Sequence, residues 1–281
     1  MARFLVWTDL HDEFWNKIPE IPDEALGVDA LLLAGDISTH GRHVDAALLL
    51  WDQLRKPVIM VRGNHEFYGS VIPELIEEEQ ARIAKMNAAG ADIRLLDGDV
   101  TEVAGTRIIG ATLWTDLDLY PGMSAPARAA VYQAMNDFSK IRMTPRRHLE
   151  IEDWLEMHWK DRNAIIAHLD TPYDGPTVVM THHIPVREMV HPLREVGAPA
   201  RYVTNAGFAS DMAWQLRDKR IDQWICGHSH DNRSAVIEGY HGDIPFVSNA
   251  RGYPKEGCAF DPGRIIETTP HPCPDLDGVL E

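Results

Sequence analysis

The sequence predicts an α/β layered fold, and three observations carry that reading. Short apolar runs at Arg3–Thr8, Ala30–Ala34 and Pro57–Arg62, bounded by Gly, Asp or Asn, have the length and composition of buried strands. Stretches of helical period alternate with them, giving a β-α-β-α rhythm. The chain has 281 residues, 44% hydrophobic and 25% charged, enough to bury a large core. No run approaches the roughly 18 apolar residues that a membrane helix requires.

Taken in order, the elements read as follows. Between the second and third strands, His43–Arg55 carries Val44, Ala47, Leu48, Trp51 and Leu54 at helical spacing. A helix from Ile72 to Ala89 follows, with Ser70 near its start and Gly90 as its stop; its Glu77-Glu78-Glu79 run reads as a solvated face. Arg94–Leu96, Val100–Ala104 and Arg107–Leu113 are short strands, with hairpin turns expected at Asp97-Gly98 and Gly105-Thr106. From about 116 to 170 the character changes. A polar, Pro-containing stretch leads into a helix expected from Pro145 to Leu169, capped by Thr144. In this helical insertion, Ile151, Trp154, Leu155 and Trp159 form a core-facing stripe, and His148, His158 and His168 are expected at the surface. Strands return at Thr177–Thr181, Gln223–Cys226, Ser234–Glu238 and Ile244–Ser248, with a helix near Ala209–Asp218. Without a repeat or a long linker, residues 1–269 are expected to form one domain and 270–281 a peripheral tail.

The charge balance limits the partners. With 27 basic and 43 acidic residues the net charge is −16, so polyphosphate surfaces repel the chain unless positive charge is concentrated locally. Long nucleic acid is disfavoured for the same reason. Three cysteines make neither a disulfide framework nor a paired metal motif. The opening residues lack the pattern of a secretory leader, which makes the cytoplasm the expected location. No Gly-rich loop ends in Lys-Ser or Lys-Thr, and Gly227-His228-Ser229-His230-Asp231 lacks the closing glycine of a serine nucleophile elbow.

Metal-ligating residue types collect at the carboxyl ends of the expected strands. Asp9 and His11 follow the first, Gly35-Asp36 the second, and Gly63-Asn64-His65-Glu66 the third. His182-His183 and Gly227-His228-Ser229-His230 follow two later ones. In open α/β sheets that edge is where ligands bind. Neutral imidazoles and carboxylates suit Mn, Fe or Zn, and two divalent ions about 3.5–4 Å apart need a ligand that bridges, which a carboxylate does. Singly, each residue has a blander explanation: Asp9 or Asp36 as a helix N-cap, Asn64 as a positive-φ turn residue. Five such loops directed to one edge favour a shared site.

In order and spacing, Asp9-x-His11, Gly35-Asp36, Gly63-Asn64-His65-Glu66, His182-His183 and Gly227-His228-x-His230 resemble the five signature blocks of the calcineurin-like metallophosphoesterases. The resemblance implies two packed mixed β-sheets flanked by helices, an α/β/β/α sandwich. It implies a cofactor of two divalent ions and a small phosphate ester, mono- or diester, as substrate, hydrolysed by a hydroxide held between the metals. Asp9, His11 and His230 would hold one ion, Asn64, His182 and His228 the other, with Asp36 between them. His65 would act as proton donor or transition-state stabiliser, oriented by Glu66. Adjacent strand residues point to opposite faces, so only one of His182 and His183 reaches a metal. The resemblance selects His182 and leaves His183 behind it or facing substrate.

Weaker signals complete the set. Trp114 lies in the Thr112–Asp116 stretch that ends a strand beside the insertion, a candidate substrate contact. Arg251 offers a guanidinium fork suited to a phosphate oxygen, or else packs on Tyr253. His40 and His43 follow Asp36 closely enough to line the rim. Two other functions are compatible with the fold: a nuclease of the same superfamily, and a catalytically silent scaffold, which the complete ligand set argues against.

Overall fold

The structure, a computed structural model, describes residues 1–198 and 202–269; the tail expected at 270–281 lies outside the described residues. Strands β1 (Ala2–Trp7), β2 (Ala30–Ala34), β3 (Val58–Val61), β4 (Ile93–Leu95) and β13 (Ile265–Thr268) form one sheet, in the order β13-β1-β2-β3-β4. β13 is antiparallel to β1, and the remaining pairs are parallel. A second sheet contains β5 (Asp99–Val103), β6 (Thr106–Ala111), β9 (Thr177–Thr181), β10 (Gln223–Ile225), β11 (Ser234–Ile237) and β12 (Ile244–Val247), in the order β11-β12-β10-β9-β6-β5. Its central pairs are parallel and its two edge pairs antiparallel.

Strand alternation explains why the sheets stack. Phe4, Val6, Leu32 and Ile59 turn one face of the first sheet onto Ile108, Val178, Met180 and Ile225 of the second. Leu5, Trp7, Leu31, Leu33 and Met60 point the other way, onto Val44, Ala47 and Leu50 of helix α2 (Arg42–Leu54), the first helix after the single turn α1 (Asp12–Trp15). The far face of the second sheet, with Ile109, Val179, Trp224 and Phe246, is covered by Ile165 and Leu169 of α6 (Ile151–Asp170). This is the expected sandwich, with every central strand apolar on both faces. In-register parallel pairing (Trp7 beside Leu33, Ala34 beside Val61, Ala111 beside Thr181) brings the carboxyl ends of these strands to one level. The loops that follow therefore meet at one edge.

Several expectations need correction. Asp97-Gly98 is not a hairpin: β4 pairs with β3 in the first sheet and β5 with β6 in the second, so the chain crosses between sheets there. The Ala104-Gly105 turn is a hairpin, with both residues at positive φ, as a tight two-residue turn requires. The insertion is only partly helical. It comprises α4 (Ser124–Ala134), α5 (Asp137–Lys140), a two-stranded hairpin of β7 (Arg142–Thr144) and β8 (Arg147–His148), and α6. Pro145 belongs to the hairpin turn. Helix α6 starts at Ile151, where Glu150 and Asp153 form a reciprocal capping box. The helix near Ala209–Asp218 shortens to Ala213–Leu216.

The buried stripe of α6 runs Trp154, His158, Asp161, Ile165, Leu169, which places His158 inside and leaves Trp159 47% exposed. His158 is accommodated because Nδ1 bonds the Trp114 carbonyl, and burial lowers its pKa. Glu79 of α3 (Ile72–Ala88) is also buried, unlike its neighbours. It accepts a hydrogen bond from Arg62 Nε at 2.7 Å and lies 2.9 Å from His43 Nε2, so both basic groups are buried beside it rather than at a rim.

Asp161 gives a pH-dependent stability. It accepts the Leu113 N–H at 2.9 Å, and burial, with Asp97 nearby, pushes its pKa up to about 7. Between the ordinary carboxylate range and about 7 the native state binds a proton that the unfolded state does not, so this group's contribution to stability falls as pH rises. Asp161→Asn keeps the acceptor and removes the titration. Urea unfolding should therefore show the variant gaining on the native protein from pH 5 to pH 8. Parallel curves across that range would exclude this role for Asp161.

Candidate metal centre

The site begins where the strands stop. Asp9 and His11 follow β1, Asp36 follows β2, Asn64 and His65 follow β3, His182 follows β9, and His228 and His230 follow β10. Asp9, His11, Asp36, His228 and His230 all hold left-handed backbone, with φ between 46° and 69°. Such conformations cost of order 1–3 kcal/mol each in non-glycine residues, and their concentration here points to a site the surrounding fold over-determines. The loops are cross-tied: Asp9 N–H donates to Gly35 O, His11 N–H to Asp36 O, and Gly227 N–H to His182 O.

Two donor sets converge, with one carboxylate between them. On one side His11 Nε2 lies 3.0 Å from His230 Nε2, and His230 Nε2 lies 3.4 Å from Asp9 Oδ1. On the other, His182 Nε2 lies 3.1 Å from both Asn64 Oδ1 and His228 Nδ1. Asp36 faces both: Oδ1 is 3.3 Å from His182 Nε2, and Oδ2 is 3.6 Å from His11 Nε2. Each set can hold a metal ion, since Asp9, His11 and His230 offer atoms within 4.8 Å of one another, as do Asp36, His182 and His228.

The electrostatics fit a cation. Burial by itself would raise the Asp36 carboxyl, but His182, His65 and His11 around it hold it well below the usual range; Asp9 is likewise lowered, against burial, by His230. Two buried carboxylates in one site require positive charge beside them. Without metal, protons supply it. Burial opposes a charged His182 and His230, but Asp36 and Asp9 respectively outweigh it and push each up to about 9. A divalent ion would displace those protons.

Three glycines make the approach possible. A Cβ on Gly63 would lie 2.1 Å from Asp36 Oδ1, one on Gly35 2.6 Å from Gly63 N, and one on Gly227 2.0 Å from Thr8 Oγ1. Glu66 clasps the same loops: Oε2 accepts the N–H groups of Asp36 and Gly63, and Oε1 those of Ile37 and Ser38. It is fully committed to backbone, so the expected orientation of His65 by Glu66 is replaced. Glu13 does that work. His65 Nδ1 donates to Glu13 Oε1 at 2.9 Å, and the same oxygen lies 3.2 Å from His11 Nδ1. Burial raises the Glu13 carboxyl, yet the hydrogen bonds from the two histidines outweigh it and hold it at about 2. His65 Nε2 is left facing the centre, 3.9 Å from Asp36 Oδ2 and 3.1 Å from the Tyr253 hydroxyl.

Other expected contacts move. His183 is buried against Trp114 and Trp154, with Nδ1 3.3 Å from Thr112 O, and burial together with the nearby His182 pushes its pKa down to about 3. Trp114 is buried in the same aromatic cluster. Neither lines the open cavity over the centre, so substrate contact at these positions is corrected to packing. Arg251 stacks on Trp15, 4.2 Å from its ring centroid, and donates to Lys17 O, which removes it as a phosphate clamp.

Motif reading missed Glu13, although it lies two residues past His11 in the pattern Asp9-x-His11-x-Glu13. It also missed a relay from the insertion. Asp137 accepts from the Tyr68 hydroxyl (3.1 Å), which accepts from Asn64 Nδ2 (3.0 Å), turning Asn64 Oδ1 toward His182. Nothing local in the sequence marks Asp137.

Gly63→Ala tests the close packing. The added methyl must displace the Asp36 carboxylate, so Mn²⁺ affinity measured by calorimetry should fall about 10–100-fold, the scale of outer-shell disruptions, while circular dichroism stays native. Unchanged affinity would mean the loops relax around the methyl.

The calcineurin-like phosphoesterase family model matches residues 2–232. A search of the curated proteins finds no match. Among solved structures, the crystal structure of a phosphopantetheinyl hydrolase from Mycobacterium tuberculosis is similar in fold. It has 19% sequence identity, a TM-score of 0.63, and 91% of each chain covered. Among the described residues no helix is long and apolar enough to cross a membrane. With its family match spanning most of the chain, the protein belongs to the calcineurin-like phosphoesterases and is a metal-dependent phosphoesterase.

Proposed function

We propose that the protein hydrolyses a small phosphate mono- or diester at a dinuclear centre. In this reading Asp9, His11 and His230 would hold one divalent ion and Asn64, His182 and His228 the other, with Asp36 shared between the two. The observation that carries it is the Asp36 carboxylate, with one oxygen toward each donor set. Mn, Fe and Zn all match the nitrogen and oxygen donors. Bound there, the ions would activate a water as nucleophile and neutralise the phosphoryl oxygens. A cavity of about 430 Å³ over the centre, lined by Asn64, His65, Arg194, Phe208 and Tyr253 among others, suits a small ester better than a polymer. Both sheets supply site residues, which supports residues 1–269 acting as one unit with 116–170 as its insertion.

In this reading the chain's own groups do the following. Glu13 accepts the His65 Nδ1 proton, so Nε2 faces the ester. Burial opposes the charged imidazolium, but Asp36 and Glu13 outweigh it, and in that form His65 delivers its Nε2 proton to the departing alkoxide. Tyr253, 3.1 Å from Nε2 and packed on His11 and His230, closes that side against bulk water.

Two measurements test the reading. Elemental analysis of protein loaded with Mn²⁺ should give two ions per chain, and Asp36→Asn should lower both that number and turnover more than any single histidine-to-alanine change, because a neutral amide bridges two cations poorly. One ion per chain in fully active protein overturns it. His65→Ala should cost about 10²–10⁴-fold with an alkyl phosphate and much less with a p-nitrophenyl ester, whose leaving group needs no proton. Equal losses in both series would instead make His65 a ligand for the phosphoryl oxygens.

A further inference from the structure

We infer that the preferred ester carries a second anion on its leaving group, bound by Lys140 and Arg142 in the cavity beside His65. This rests on the phosphoesterase reading and deepens it. A second cavity, about 410 Å³, adjoins the one over the metal centre, and the two share His65, Tyr68, Phe14 and Lys140 as a common wall. The new cavity thus begins at the histidine assigned to the leaving group. A leaving group protonated by His65 departs along the wall that the two cavities share.

The insertion builds this cavity's charged edge. Gly69 N–H donates to Lys140 O at 2.8 Å, and Arg142 N–H donates to Ser70 O at 3.1 Å, which pins the start of the β7 hairpin to the loop immediately after His65. Ile141 between them is fully buried in the aromatic core, and its N–H and O are both taken by backbone bonds. Residue 141 is turned inward between the last residue of α5 and the first of β7, and the side chains on either side of it, Lys140 and Arg142, both line the cavity. Neither has an acidic partner among the described residues. Lys140 Nζ sits over the Tyr68 ring, 4.8 Å from its centroid, and Arg142 makes no side-chain hydrogen bond there. The third cation at the site is already engaged: Arg194 donates to Asp231 and to Ser229 O.

Charge makes this placement informative. The chain carries −16, yet the cavity presents two cations without an ion-pair partner among the described residues against a single carboxylate, Glu13, which is held by His11 and His65. Glu74 and Glu78 lie farther out, in a depression beyond His40. A phosphate or carboxylate on the leaving group matches that polarity, and a guanidinium and an ammonium lining the same cavity can engage it together.

The test is a ladder of substrates on the Mn²⁺-loaded full chain. Monophosphates and bisphosphates of propane-1,3-diol, butane-1,4-diol and hexane-1,6-diol differ only in whether the far end carries an anion. The native protein should favour the bisphosphate in kcat/KM by about 10–100-fold at one chain length, with the preference weakening as salt is added. Lys140→Ala/Arg142→Ala should collapse that ratio toward one, and the charge-conserving Lys140→Arg/Arg142→Lys should keep most of it. A native ratio near one at every length, or a preference that survives the alanine pair, overturns the subsite while leaving phosphoester hydrolysis intact. Hydrolysis of none of the esters, p-nitrophenyl phosphate included, overturns the phosphoesterase reading and the subsite with it.

Discussion

The structure depends on where the Asp36 carboxylate is held. A buried carboxylate facing two clusters of imidazoles is costly unless its position is fixed, and four constraints fix it. The backbone at Asp36 is left-handed, Glu66 takes its N–H, the His65 N–H donates to Oδ1, and Gly63 leaves the space that a side chain would fill. Three of these come from the one loop after β3, which ties it to the end of β2, and the carboxylate so placed faces His11 beyond β1 and His182 beyond β9. The parallel register of the two sheets makes this possible, because it brings those ends to a common level before any side chain is considered.

Around that centre, carboxylates divide into distinct tasks according to what they touch. Asp9 and Asp36 face imidazole nitrogens. Glu66 is committed to four backbone N–H groups and ties loops together. Glu13 spans His11 and His65, coupling a residue of the first donor set to the group proposed to move a proton. Asp137 acts at longer range, through Tyr68, on the amide of Asn64. Such outer partners set the tautomer or amide orientation of the residues that face the centre, and they are built from elements far apart in the chain.

The insertion connects scaffold to site. Its aromatic core, with Phe138, Ile141 and Trp154, packs on Phe67 and Tyr68 in the loop that also carries Asn64 and His65. That packing delivers Asp137 to the Asn64 relay and Lys140 and Arg142 to the adjoining cavity. An acidic protein can act on an anionic substrate if positive charge is concentrated where the substrate sits, and here metal-binding residues and the insertion's cations adjoin.

The sequence by itself determined most strands of the two sheets, though β13, the β7–β8 hairpin and the order of strands within each sheet were not legible in it. It determined those strands and the loops that carry chemistry because strand periodicity is local and the metal-type residues lie in short contiguous blocks. The positions Asp9, His11, Asp36, Asn64, His182, His228 and His230 were legible for that reason, as was the sandwich through its resemblance to a family. Only the tertiary structure decided what each neighbouring group does. Glu66 and Glu13 are both acidic residues near a ligand block, and no spacing rule separates one that bonds backbone from one that bonds histidine. His158 and Glu79 lie in helical stretches whose buried stripe shifts by one residue once the helix packs, which reverses the expected burial. Trp114 and Arg251 end beside aromatic partners distant in sequence, Trp154 and Trp15. Long-range packing chose those contacts, and a linear pattern of residue types carries no record of which distant surface a side chain will meet.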